Sequence, residues 1–188
     1  MTERPEPQAV IEHGPVTLRR LREGDLDAVF QAVTESLDHL RPWMPWAAGY
    51  SLASAEEYLA GSIKSWDEGT EYNYAIMTAT PGGTALAGVA GLMARIGPGG
   101  LEIGYWVHRA YARRGLATAA TAALVEQAFR LPGVDRVEIV HDELNAASAG
   151  IPRKLGFTEV GRRPLDFRPP AGSGTGVVWR LTRQAQTR

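Results

Sequence analysis

The stretch LEIGYWVHRAYARRGLATAATAALVEQAFR, residues 101–130, decides how this chain folds. In LEIGYWV, period-two alternation puts Glu102, Gly104 and Trp106 on one face and Tyr105 on the other, which predicts a strand. After His108 the pattern changes. Small and apolar residues cover most of the surface and Thr118, Glu126 and Arg130 form a polar side, which predicts a helix from Leu116 to Arg130, alanine-rich enough to lie close against a sheet. Pro132 and Gly133 end it. Between strand and helix stands Arg113-Arg114-Gly115-Leu116-Ala117. A helix N-terminus carries backbone N–H groups without partners and a partial positive charge. Small residues at 115 and 117 would let an anion approach that backbone, and Arg109, Arg113 and Arg114 would add charge-assisted bonds to phosphate oxygens. There is no GxGxxG and no GxxxxGK[ST], so neither a Rossmann cofactor nor a P-loop is indicated. The alternative is a glycine that merely permits a tight turn between solvated arginines, since all but Lys64 and Lys154 of the 20 basic residues are arginine.

Upstream of this stretch, residues 1–14 read as a loose arm, with room for a short strand near Val10. Val16 to Leu21 reads as a strand, and Asp25 is placed to cap a helix running to about Leu37 with Leu26, Val29, Phe30 and Val33 as its apolar stripe. Pro42 and Pro45 break up HLRPWMPW into a loop. Ser54 and Glu57 form a capping box for a second helix, continued by Leu59, Ile63 and Trp66 and stopped at Gly69. Tyr72–Ala79 and Leu86–Arg95 follow as strands joined by PGGT, and with residues 101–107 they make an antiparallel meander. Downstream come a strand at Val134–Val140, a short helix at Asn145–Leu155, a strand from Phe157 and a last strand at Gly174–Leu181. The order implies an α/β fold of mixed type, one domain over residues 15–183, with helices on both faces of the sheet and a flexible tail at 184–188.

Composition narrows the function classes. With 188 residues, 20 basic against 21 acidic and a net charge of -1, the chain is long enough for a full core and lacks the basic field of a dedicated nucleic-acid binder. Cysteine is absent, so disulfides, thiolate nucleophiles and cysteine-held metals are excluded. Residues 1–15 hold charges and prolines without an apolar core, and no run of 18 apolar residues occurs, so neither a secretory signal nor a membrane span is expected. His13, His39, His108 and His141 show no metal-binding spacing, and no GxSxG elbow appears.

AYARRGLA after EIGYWV, followed some thirty residues on by NAAS and KLGF, resembles the GCN5-related N-acetyltransferases (GNAT), and within them the branch of ribosomal-protein N-terminal acetyltransferases. The resemblance runs from about Val16 to Leu181. It implies a central, mostly antiparallel sheet of about seven strands with a splayed parallel pair, and acetyl-CoA as co-substrate with no metal. In the resemblance, residues 113–118 (Arg113, Arg114, Gly115, Leu116, Ala117 and Thr118) wrap the coenzyme diphosphate. Ala112 stands where the family usually has glutamine or arginine. The backbone near Trp106 and Val107 would pair with the pantetheine arm across a gap facing Val137–Val140. Asn145 would bond the coenzyme arm, or serve as a plain helix N-cap, and Ser148 would protonate the departing thiolate. Gly150 and Pro152 depart from the family pattern, and Pro152 removes the donor that the Ser148 carbonyl would have in a helix.

Amide formation from an amine and a thioester needs a base, a donor for the developing oxyanion and a proton for the thiolate. Glu102 is the candidate base, directly or through water, or else an ion-paired strand residue. Glu71, Glu138 and Asp142 are lesser candidates, and Tyr105 or Tyr111 could replace Ser148 as acid. Trp43 and Trp46 would shape the acceptor cleft, with Tyr50, Tyr72 and Tyr74 as outer candidates; alternatively the tryptophans cover the first helix. The resulting expectation is a cytoplasmic acetyl-CoA-dependent N-acetyltransferase acting on a primary amine, either a peptide N-terminus or an amine-bearing small molecule. It would form a homodimer through the Trp-rich loop or the last strand, without nucleic-acid or membrane partners. The rival is a non-catalytic acyl-CoA binding or sensing module.

Overall fold

A computed structural model of the chain describes residues 6–183; the proposed tail at 184–188 lies outside them. The sheet is built from β1 (Val10–His13), β2 (Val16–Arg20), β3 (Glu71–Thr80), β4 (Gly83–Met93), β5 (Gly100–Val107), β6 (Arg136–Asp142), β7 (Thr158–Pro164) and β8 (Thr175–Thr182). The helices are α1 (Leu26–Glu35), α2 (Leu37–Leu40), α3 (Leu52–Glu68), α4 (Leu116–Arg130) and α5 (Ala146–Lys154). The eight strands lie in the order β1-β2-β3-β4-β5-β6-β8-β7, antiparallel throughout except for β5 with β6. The eighth strand is β1, formed inside the arm by pairing with β2.

Alternation along β3 sorts the core into two layers. Ala75 faces α1 and α3 with Leu21, Val29, Ala32, Leu59, Leu86 and Val89. Its neighbours Tyr74 and Ile76 face the other way, into the larger cluster that α4 covers with Leu116, Ala120, Ala123, Leu124 and Ala128. Each large aliphatic buried there contributes about 1.5–3 kcal/mol, while the alanines set how near the helix can come to the sheet.

Several local expectations are corrected. Asp25 does not cap α1. A 3-10 turn at Glu23–Asp25 precedes the helix, and the buried Asp25 carboxylate takes two bonds from the Arg19 guanidinium (2.6 and 3.0 Å) and one from the Arg22 N–H (2.9 Å). Ser36 interrupts the helix at Glu35, so that α2 is a separate turn. The capping box of α3 is Ser51 with Ser54, one turn before the Ser54–Glu57 pair, and Gly69 closes the helix in the left-handed region at φ 73°. The last strand, β8, lies between β6 and β7 and has no free edge. The edge strand at this end of the sheet is β7, every residue of which is exposed.

One bulge matters for the site. β3 pairs Ile76 with Gly88 and Met77 with Leu86, so Ala87 is an extra residue in β4. Its carbonyl accepts the His108 N–H at 2.7 Å, which fixes the end of β5. At Gly88 a Cβ would lie 2.1 Å from the Trp106 carbonyl oxygen, so β4 and β5 can approach here only over glycine.

Candidate active site

The parallel pair β5–β6 holds for three steps only, Gly100–Arg136, Leu101–Val137 and Glu102–Glu138. Beyond them β5 stays with β4 as far as Val107, and β6 stays with β8 as far as Asp142. The two strands therefore part, and the backbone groups between them need a partner. Trp106 directs its carbonyl towards Gly88 of β4, so by alternation Tyr105 and Val107 are the residues whose main-chain groups face the gap. Of the expected pair, only Val107 turns its backbone to the gap, whereas the Trp106 side chain lies on the cleft floor. β5, α4 and β6 form one crossover unit, so the helix start lies at the carboxyl end of β5, where the gap opens.

That helix start has the predicted form. Gly115 is the N-cap residue at φ 77°, Arg113 is also left-handed at φ 63°, and no side chain caps α4. The amides of the first turn are thus presented without the usual Ser or Asp cap. Arg109, Arg113 and Arg114 are exposed, and the Arg114 guanidinium sits 5.2 Å above the Tyr111 ring. Thr118 is half-buried one turn in.

A cleft of about 540 Å³ opens through the gap. Its floor is the cleft-side face of three strands: Glu71 and Asn73 of β3, Val89, Gly91 and Met93 of β4, and Glu102, Gly104 and Trp106 of β5. Gly91 and Gly104 pair across the strands, and neighbouring side chains lie over them: a Cβ at Gly91 would stand 2.1 Å from Asn73 Oδ1 and one at Gly104 2.9 Å from Met93 Cε. Trp43, Met44 and Trp46 form a wall, with Trp46 packed 6.2 Å from Trp106, so these tryptophans line the cleft. On the far side stand Tyr105, His141, Asn145 and Ser148. The loop after β7 adds Leu165 and Phe167, and the Ala171 N–H donates to the Pro42 carbonyl at 3.0 Å, joining that loop to the tryptophan wall.

Glu102 lies on this floor and is 6% exposed. One oxygen is ion-paired with Arg95, and Arg163 of β7 stands 3.8 Å from the other. Pairing with Glu102 holds the Arg95 guanidinium above its usual pKa. Of the other candidate carboxylates, Glu71 also lies on the floor, accepting from the Asn73 amide at 3.4 Å, while Glu138 and Asp142 are held by other groups. Glu138 accepts from Arg180 at 2.6 and 2.8 Å. Asp142 accepts the N–H groups of Leu144, Ser173 and Gly174; burial pushes its pKa up, but these donors and His141 outweigh burial and hold it below the usual value. The Nε2 of His141 accepts the Trp179 indole N–H at 2.9 Å, so the ring's N–H is on Nδ1, donated to the Asp142 carbonyl at 2.8 Å. That histidine lines the cleft without a free lone pair.

Asn145 caps α5, its side-chain oxygen accepting the Ser148 N–H at 3.2 Å. α5 runs through Pro152 to Lys154, and the Ser148 carbonyl accepts the Tyr105 hydroxyl at 3.4 Å. Burial raises the Tyr105 pKa, which keeps that hydroxyl a donor.

The outer tyrosines are placed differently from expectation. Tyr74 is fully buried on the α4 side and donates to the Gln8 carbonyl at 2.9 Å. Tyr72 packs edge-on to Trp66 and donates to the Gly69 carbonyl. Tyr50 sits behind Trp46, stacked on Phe30, with its hydroxyl buried and unpartnered. The tyrosine that joins Tyr105 in the cleft is Tyr58 of α3, whose hydroxyl pKa desolvation pushes up to about 12. Its place in the i, i+4 row of Ser54 and Ser62 was the only sequence signal for it. Asn73, Arg95 and Phe167 are further lining residues that the sequence did not single out.

Comparison with known proteins agrees with this architecture. Residues 16–158 match the family model described as an acetyltransferase (GNAT) domain. YdaF of Bacillus subtilis (strain 168), named as a candidate ribosomal N-acetyltransferase, is 27% identical over 158 residues, covering 81% of this chain and 82% of that protein. Among solved structures, RimJ of Mycobacterium smegmatis, in complex with a CoA disulfide, superposes with a TM-score of 0.84 at 22% identity, over 97% of this chain and 90% of that one. RimL, a ribosomal L7/L12 alpha-N-protein acetyltransferase in complex with coenzyme A, gives a TM-score of 0.83 at 22% identity, over 94% and 99%. The family model covers well over half of the sequence, and on that ground the chain belongs to the GNAT acetyltransferases.

Proposed function

We propose that this GNAT acetyltransferase transfers an acetyl group from acetyl-CoA directly to a primary amine, and that the acceptor is the α-amine of a protein or peptide N-terminus. The observation that carries the reading is the parting of β5 and β6 beside an uncapped helix start. The diphosphate would lie on the amides of residues 115–118, and the pantetheine amides would bond the free groups of Tyr105 and Val107 as an added strand. The thioester then reaches the floor between Glu102, Gly104 and Ser148. The amine nitrogen attacks the thioester carbonyl; the N–C bond forms, the C–S bond breaks, and the amine proton leaves through water to the Glu102 oxygen not held by Arg95. Ser148 gives its proton to the thiolate and regains one from solvent as Glu102 releases the amine proton to solvent, so both residues return to their starting states. The aromatic wall of Trp43 and Trp46 would hold the residue behind the α-amine, and the names of the similar proteins favour a peptide over a small molecule. A cytoplasmic homodimer belongs to the same proposal, with β7 in place of β8 as the exposed edge.

The Glu102–Arg95 pair favours a second reading, an acyl-CoA binding module, because a carboxylate committed to an arginine is a weaker base. Thiol release from acetyl-CoA, measured over free-N-terminus peptides, amino acids and polyamines, separates the two. Turnover on a peptide, reduced about 10²–10⁴-fold in Glu102→Gln and Ser148→Ala, supports transfer. Tight acetyl-CoA binding with no turnover on any amine supports the module.

A further inference from the structure

Pro152 creates a local vacancy in hydrogen bonding that the fold fills from an unexpected place. In an α-helix the carbonyl of Ser148 takes the N–H of residue 152, and proline has none. α5 nevertheless continues through Pro152. The phenol of Tyr105, on β5, reaches across the gap and donates to that carbonyl at 3.4 Å. Tyr105 is thus joined to the site twice, by main-chain groups that face the gap and by a side chain that ties α5 to β5. Ser148, whose carbonyl is the one held, lines the cleft beside Asn145.

We propose that Tyr105 is a positioning residue, whose hydroxyl replaces the N–H absent at Pro152 and holds the Ser148 peptide so that its side chain faces the thioester sulfur. The proposal rests on the reading of Ser148 as the proton donor to the thiolate. It separates Tyr105 from the reaction itself: the phenol keeps its proton throughout and acts through the backbone of α5. It also accounts for the tolerance of a proline in a helix that carries a reacting group, because the two departures compensate each other.

The compensation makes the test a cycle of four chains: wild type, Tyr105→Phe, Pro152→Ala and both changes together. Alanine at 152 restores the helical N–H and makes the phenol dispensable. With the fastest peptide acceptor, Tyr105→Phe is expected to lower kcat roughly three- to tenfold, the range of one hydrogen bond, at an unchanged KM for acetyl-CoA. The double variant is expected to match Pro152→Ala within about twofold, and the urea midpoint to show the same coupling. A kcat deficit of equal size in both backgrounds overturns the proposal, because packing by Tyr105 or direct proton donation from it would not be rescued at 152. If no amine turns over in wild type, the transfer reading falls and the positioning role falls with it. The urea cycle then still decides the hydrogen bond, coupling sustaining it and additivity refuting it.

Discussion

Gly115 allows the proposed anion-binding role of the α4 start to be separated from its backbone strain. It sits at φ 77° with nothing within 4 Å of where a Cβ would stand. Gly133, past the far end of the same helix, has φ 75° and is equally open. Alanine at either position is forced into the left-handed region at a cost of about 1–2 kcal/mol, offset by about 0.4–1 kcal/mol from the stiffer unfolded chain. The net loss is about 1 kcal/mol for each, or roughly 2–4 °C in Tm for a chain of this size. Only the methyl group at 115 would also stand where the proposed diphosphate approaches the amides. Gly115→Ala is therefore expected to weaken coenzyme A at least about tenfold, equivalent to about 1.4 kcal/mol, while Gly133→Ala leaves the Kd unchanged. Thermal unfolding and calorimetric titration of both variants measure the two effects separately. Equal Kd values for the two, with equal losses of Tm, would refute the placement of the diphosphate.

Two further perturbations probe the frame around the site. Gly88→Ala brings a Cβ to 2.1 Å from the Trp106 carbonyl, a clash between two backbones, and is expected to cost about 2–3 kcal/mol in urea unfolding; a loss below about 0.5 kcal/mol would mean that β4 and β5 are not held in this register. Asp142 has its folded pKa held below the usual value near 3.8. A depressed carboxylate pKa stabilises the fold fully above the unfolded value, and that stabilisation is lost as pH falls through the folded one. Unfolding followed from pH 7 to pH 2 is expected to show Asp142→Asn less stable at neutral pH and with a flatter decline below about pH 4. An unchanged slope would show that Asp142 does not contribute to the acid sensitivity of the fold.

Patterns set by one element were legible in the sequence. α4 has the predicted bounds, Leu116 to Arg130, because its alanine run, Gly115 and Pro132 are all local signals. The loop at 113–117 and the Asn145 cap were legible for the same reason. What the sequence concealed depends on which strands meet. Period two along residues 72–74 fixes that Tyr72 and Tyr74 lie on a face opposite Asn73, but not which face meets the cleft; β3 turns Asn73 to it. The extra residue at Ala87 is visible only against the register of β3, and the Arg95 and Arg163 partners of Glu102 come from separate strand ends. Pro152 was readable as a missing donor, whereas its substitute, Tyr105, lies 43 residues away from Ser148 in the chain and is found only in the fold.

Backbone amide spectra of the labelled chain, recorded during titration with coenzyme A and separately with pantetheine, locate the diphosphate on the chain. Coenzyme A is expected to move the amides of Gly115, Leu116, Ala117 and Thr118 more than any others. Pantetheine, which lacks the diphosphate, should leave those four in place. A spectrum unmoved by coenzyme A, or one in which the largest shifts fall away from the start of α4, would contradict that placement of the diphosphate.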